Sequence, residues 1–167
     1  MRILAAAALL LASTAAHAQD PAHDFSCANV RPSLPAEFAA WAAQAPVVAG
    51  TEAGGGATIQ PGAAIRVSLH PASHLKLNPA PRMVGPHGGT LTIAVTAPGT
   101  YRLALGGPYS VDLIRNGRVT RSSAPSPGPR CSSIRKTMDF VLSPGHYTVQ
   151  LSGSEAENVV LLAVKVS

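Results

Sequence analysis

Apolar and polar residues alternate most clearly around Leu91, Ile93 and Val95, which interleave with Thr90, Thr92 and Thr96. Such a period of two places one face of a strand in a core and the other in water. Tyr101, Leu103 and Leu105 repeat the pattern, as do Tyr147, Val149 and Leu151. Further strands are expected near Ile65–Leu69, Ser110–Ile114, Val119–Arg121 and Ile134–Leu142. Val159 to Val166 is almost wholly apolar, which predicts a strand covered on both faces. Asn116-Gly117 is the pair favoured in a two-residue hairpin turn, where both residues take positive φ. About eight closely spaced antiparallel strands predict an all-β fold, a β-sandwich or jelly-roll-like arrangement.

The pattern before Ile59 is different. Residues 19–35 carry Pro21, Pro32 and Pro35 and read as extended. Phe38, Trp41, Ala42 and Ala45 then share one side at 3.6-residue spacing, predicting a short N-terminal helix that Pro46 ends. Gly54-Gly55-Gly56 marks a flexible turn. The expected organisation is therefore an extended and helical segment at 19–58 and a sandwich domain at 59–167. Ahead of both, Met1-Arg2 is a short positive start, Ile3 to Ala12 is an unbroken apolar run, and Ala16-His17-Ala18 offers small residues for cleavage. This is the arrangement of a signal peptide, expected at 1–18. Its apolar run is well short of the about 20 residues a bilayer span needs, and no later stretch reaches that length. A periplasmic or secreted protein without a transmembrane segment is expected. Cys27 and Cys131 are the two cysteines of the chain. An even count in an exported chain favours a disulfide, which here would pin the N-terminal segment to the domain.

One internal similarity adds detail. Ala97-Pro98-Gly99-Thr100-Tyr101-Arg102-Leu103-Ala104-Leu105-Gly106 matches Ser143-Pro144-Gly145-His146-Tyr147-Thr148-Val149-Gln150-Leu151-Ser152, and Gly107 matches Gly153. Both copies follow an apolar strand. Pro presets φ and Gly takes positive φ in a tight turn. The tyrosine then enters the core while its hydroxyl finds a partner at the edge. Two such hairpins predict a pseudo-symmetric sandwich.

Composition narrows the function classes. Gly and Pro number 15 each, and charged residues make up only 13% of the chain, which excludes a coiled coil. Loss of Arg2 with the signal peptide leaves 12 Lys and Arg against 8 acids, a net charge of +4. The charge is uneven: Arg115, Arg118, Arg121, Arg130, Arg135 and Lys136 lie within 22 residues, with no acid between Asp112 and Asp139. Ser122 to Arg130 is a Pro/Ser-rich loop between these cationic flanks. If the flanks converge, they would face an anionic envelope component, such as a lipopolysaccharide phosphate, or an acidic protein partner. Nucleic acid is disfavoured, because the stretch lacks stacking aromatics.

Catalytic chemistry is poorly represented. No G-x-S-x-G elbow occurs. Asp112 and Asp139 could do glycosidic acid/base work only at a separation of about 5–9 Å, and pairing with Arg115, Arg135 or Lys136 is the expected alternative. His70 and His74 have i, i+4 spacing, and His87 follows near Met83, so imidazole and thioether could hold copper or zinc. Pro71 argues against a helix that would align the first two.

The segment Tyr109-Ser-Val-Asp-Leu-Ile-Arg-Asn-Gly117, with Cys27 and with Cys131-Ser-Ser-Ile-Arg-Lys-Thr-Met-Asp-Phe-Val-Leu-Ser-Pro-Gly-His-Tyr147, resembles a family of small exported, uncharacterised bacterial proteins. Some of its members carry the automatically assigned name homogentisate 1,2-dioxygenase. That activity would imply an iron held by two His and one Glu. The mature chain has no H-x-H and no His closely followed by Glu, so no ligand position carries over. The expected function is an exported non-enzymatic binding module without a cofactor, contacting its partner through the Arg-rich edge. The alternative is a metal-dependent protein, a copper or zinc carrier or an iron dioxygenase, using His70, His74 and His87.

Overall fold

The computed structural model describes residues 27–167. The signal peptide expected at 1–18 lies outside them. Among the described residues, twelve strands form: β1 (Ala45–Val48), β2 (Thr58–Ile59), β3 (Ala64–Ser68), β4 (His70–Pro71), β5 (His87–Val95), β6 (Gly99–Leu105), β7 (Ser110–Arg115), β8 (Arg118–Val119), β9 (Ser126–Pro127), β10 (Lys136–Leu142), β11 (Gly145–Ser154) and β12 (Asn158–Lys165). They build two sheets, one in the order β1-β3-β12-β6-β10-β9, the other β2-β5-β11-β7-β8 with β4 also paired to β5. The architecture is the expected all-β sandwich.

Its sheets are not purely antiparallel. β1 runs parallel to β3, and β2 runs parallel to β5. A parallel pair needs a long crossover rather than a tight turn. Here the opposite sheet supplies it: the chain leaves β1 for β2 in the second sheet before returning to β3. The segment 19–58 thus contributes β1 and the first residue of β2 to the sandwich. Pro46, which lacks a ladder donor, sits in β1 at the edge of its sheet, where such a residue is tolerated. The expected helix is a seven-residue 3-10 helix, Ala36–Ala42. Its three-residue period aligns Phe38 with Trp41, and both are buried. Ala42 and Ala45 are exposed and do not extend that face.

The alternating residues fill the space between the sheets. Leu91, Ile93, Leu103, Leu105, Leu113, Val149, Leu151 and Leu161 are fully buried there. β12 is apolar on both faces because it has two cores to serve. Val159, Leu161 and Ala163 face the sandwich interior, whereas Leu162 and Val164 pack with Phe38, Trp41, Ala104 and Ile134 on the outer side. Trp41 Nε1 donates to Ser133 Oγ at 2.8 Å. Nearby, Cys27 and Cys131 form the expected disulfide, with their Cα atoms 5.3 Å apart. It ties the start of the described chain to the loop that carries Ser133 and Ile134.

The repeated Pro-Gly-x-Tyr segments are not hairpins. β5 and β6 belong to different sheets, as do β10 and β11. Each turn is a corner that carries the chain across the sandwich. Tyr101 OH donates to Ala97 O at 2.8 Å, and Tyr147 OH donates to Ser143 O at 2.9 Å, four residues upstream in both cases. Gly99 and Gly145 take φ of 153° and 144°. Local signals specify such a turn equally well in a hairpin and in a corner; the strand partners are chosen by the inter-sheet core. In contrast, Asn116-Gly117 does close a hairpin, with φ of 52° and 72°, joining β7 to β8.

Two stability measurements check this account. Tyr101→Phe should lower the unfolding free energy by about 1 kcal/mol. Tyr147→Phe should cost about twice that, since the Tyr147 hydroxyl also accepts from Ser143 N and Arg115 Nη1; urea midpoints at constant slope report both. Replacing Cys27 and Cys131 by Ser opens a link across a sequence separation of 104. The loss should be about 5 kcal/mol by chain entropy, read in the same assay.

Candidate functional site

Arg115 ends β7, Arg118 begins β8, and the two face each other in register across the hairpin turn. Like charges directly opposite repel. Arg115 is drawn to the neighbouring corner: its guanidinium lies 5.2 Å from the Tyr147 ring centroid and donates to Tyr147 OH and Pro144 O, both at 3.1 Å. Arg118 and Arg121 are exposed. Among the described residues, neither has a carboxylate within ion-pair distance.

The stretch Ser122 to Arg130, expected as a loop, lies along β10. Ser122 bridges to Phe140, Ser123 N donates to Asp139 O, and Ser126 and Pro127 pair with Thr137 and Lys136. This keeps the cationic flanks apart. Lys136 and Leu142 lie opposite the two far ends of β6, and Arg115 reaches Pro144 just beyond Leu142. Six residue steps put Arg135 and Lys136 roughly 20 Å from the basic hairpin. Arg130 and Arg135 are exposed, and burial pushes the half-buried Lys136 ammonium below the ordinary lysine value. The six cations therefore do not converge on one small anion.

The two aspartates find other partners than those expected. The β6–β10 register sets Asp139 beside Arg102 on the outer face of the first sheet. Arg102 Nε and Nη2 donate to the two Asp139 oxygens at 2.8 and 2.9 Å, and Nη1 donates to Glu37 Oε1 at 3.1 Å. The hydrogen-bonded guanidinium holds the Asp139 carboxyl below the usual aspartate range, against the effect of partial burial. Asp112 lies on β7 opposite Gln150 in the second sheet. Burial raises its carboxyl, and the positive charge of Arg82 opposes that rise. The alternation of β7 and β10 turns both aspartates away from an interior about 10 Å thick, so they cannot bracket one glycosidic bond.

The histidines are dispersed. His70, in β4, lies with Nε2 2.7 Å from Ala49 O. His74 is exposed at the end of a 3-10 turn, Ala72–His74. His87 begins β5 with Nε2 4.0 Å from Glu157 Oε1. Pro71 pairs in β4, so no helix aligns His70 with His74. Among the described residues, no three His, Cys, Asp or Glu side chains gather as a metal ion requires.

A second feature escaped the sequence patterns. Residues 75–86 cross the outer face of the second sheet, held partly by Gln150 Nε2 donating to Pro79 O at 3.0 Å. Under this strap lies a cleft of about 210 Å³, lined by Leu75, Leu77, Met83, Val84, His87 and Ser152 among others. Gly85 and Gly153 permit the close approach, since a Cβ on Gly85 would come within 2.8 Å of the Gly153 backbone. Those glycines were the available signal, but a Pro- and Gly-rich run reads equally as an open loop.

Compared with models of protein families, with curated proteins and with solved structures, the chain matches none.

The Asp139 contact makes a pH prediction. A depressed carboxyl contributes stability above its unfolded value, about 3.8, and loses it as pH falls through the lower folded value. Asp139→Asn should abolish that part of the acid limb. Urea midpoints from pH 6 to about pH 2 should fall less steeply for the variant.

Proposed function

We propose that the protein is an exported, non-enzymatic binding module that contacts an anionic envelope component through its β7–β8 hairpin and Arg121. The observation that carries this reading is the pair Arg118 and Arg121, exposed on the outermost strand of the second sheet and just beyond it, with no acidic neighbour in ion-pair range among the described residues. Arg115 shapes the hairpin from behind by its hold on the Tyr147 corner. The contact is narrower than the whole basic stretch, since Arg135 and Lys136 lie at the other end of the strands. The disulfide is compatible with an oxidising compartment, where the expected signal peptide would deliver the chain. No helix among the described residues is long and apolar enough to cross a membrane.

An interaction of this kind rests on unpaired cations, so it is sensitive to salt. Near an anionic surface each Arg contributes about 1 kcal/mol. Reversing both charges, Arg118→Glu with Arg121→Glu, should weaken co-sedimentation with anionic phospholipid vesicles or lipopolysaccharide by roughly thirtyfold or more at low salt. Unchanged recovery of the variant would remove this reading.

A further inference from the structure

We infer that the groove between the start of the 3-10 helix and residues 123–129 binds a neutral sugar ring through adjacent hydroxyl groups. The argument starts from β10, where Met138 and Phe140 point into the core. Alternation turns Thr137 and Asp139 to the outer face of the first sheet, where both line the groove. Arg102 and Glu37 line it beside them. Pro35 stands on one side of this floor, and Ser126 with Pro127 on the other. Thr137 is only 8% exposed, and its hydroxyl has no hydrogen-bond partner among the described residues. Among these residues, the unpartnered buried atoms sealed from solvent are His87 Nδ1 and Ser152 Oγ, both on the other sheet. The Thr137 hydroxyl is not one of them, so a molecule in the groove can reach it.

The charged groups of the floor are fixed but not used up. Arg102 donates three hydrogen bonds to Asp139 and Glu37; a guanidinium has five N–H groups, so two remain. Glu37 accepts from Arg102 through Oε1 alone. The side chains of Arg102, Glu37 and Asp139 are 31%, 33% and 29% exposed, which leaves all three open to contact. An anion would meet two carboxylates around one guanidinium that they already neutralise. A cation would meet that guanidinium. A neutral ring with adjacent hydroxyls suits the alternation: one hydroxyl donates to a carboxylate while its neighbour accepts from Arg102. A third bonds the Thr137 hydroxyl in either direction. Because the ions hold one another in place, binding requires little ordering of side chains. The groove measures about 310 Å³, at the small end of ligand sites, which suits a single ring. Arg118 and Arg121 do not line it, so the inference is independent of the basic hairpin.

The test is an NMR titration of the isotope-labelled mature protein with the methyl pyranosides of glucose, galactose and mannose. Cyclohexanol serves as the ring with a single hydroxyl, and glucosamine as the charged sugar. At least one methyl pyranoside should give saturable shifts at the Thr137 and Gly128 amides and at Arg102 Nε. Cyclohexanol should bind roughly tenfold more weakly, since it lacks the adjacent hydroxyl for the second charged group. Glucosamine should also bind more weakly. Thr137→Val keeps the side-chain shape and should weaken the best pyranoside about fivefold, the worth of one hydrogen bond. Its urea midpoint should not fall, because the hydroxyl makes no bond within the protein. Ser126→Trp, substituted from an exposed position on the wall, should fill the groove and abolish the shifts. The inference is overturned if none of the three pyranosides saturates up to its solubility limit. Cyclohexanol or glucosamine binding as tightly as the best pyranoside overturns it, as does a lower midpoint for Thr137→Val or unchanged binding in either variant.

Discussion

Two corners, residues 97–101 and 143–147, hold the arrangement of this sandwich. In each, a tyrosine hydroxyl closes onto the carbonyl four residues upstream while its ring enters the interior. Val95 lies opposite Gly145 and Gly99 opposite Leu142, so the corners stand side by side at one end of the molecule. Together they align β5 with β11 in one sheet and β6 with β10 in the other. A slip of one residue in either pair would turn Leu91 or Val149, Leu103 or Phe140, out of the core. The hydroxyl bond is modest in energy. Its leverage comes from where it sits, at the point that sets the register of both sheets.

Crossing between sheets so often leaves two outer faces to be covered separately. On the first sheet the cover is apolar: Phe38 and Trp41 pack on Leu162 and Val164, and the disulfide anchors the strand of chain that leads to them. The Glu37–Arg102–Asp139 contacts rim this face with side chains about one-third exposed. Charges so placed contribute little stability on their own, but they fix how the 3-10 helix lies on β6 and β10. On the second sheet the cover is an irregular strap, tied down by a few polar contacts.

The candidate site was legible only in part. The six cations between Arg115 and Lys136 stand out in the sequence. The chain order gives no hint that Arg115 is taken up by Pro144 and Tyr147, nor that Ser122 to Pro127 lies along β10 and separates the flanks. Asp139 shows the same limit. Its closest cations in the chain are Arg135 and Lys136, yet it pairs with Arg102, because strand register ignores sequence distance. That His87 and Ser152 line one cleft could not be read before the strap and the sheet were seen together.

The amino-acid sequence by itself determined the all-β class, the inward residues of the central strands, the two-faced character of β12, the Asn116-Gly117 hairpin and the plausibility of the Cys27–Cys131 bridge. These are local properties: a period of two, a pair of residues that accept positive φ, an even cysteine count. Only the tertiary structure decided which strands pair, that β1 and β2 join in parallel, that the Pro-Gly-x-Tyr turns are corners, and which charges meet. Those outcomes depend on contacts between residues far apart in the chain, and alternation along one strand carries no information about the strand beside it.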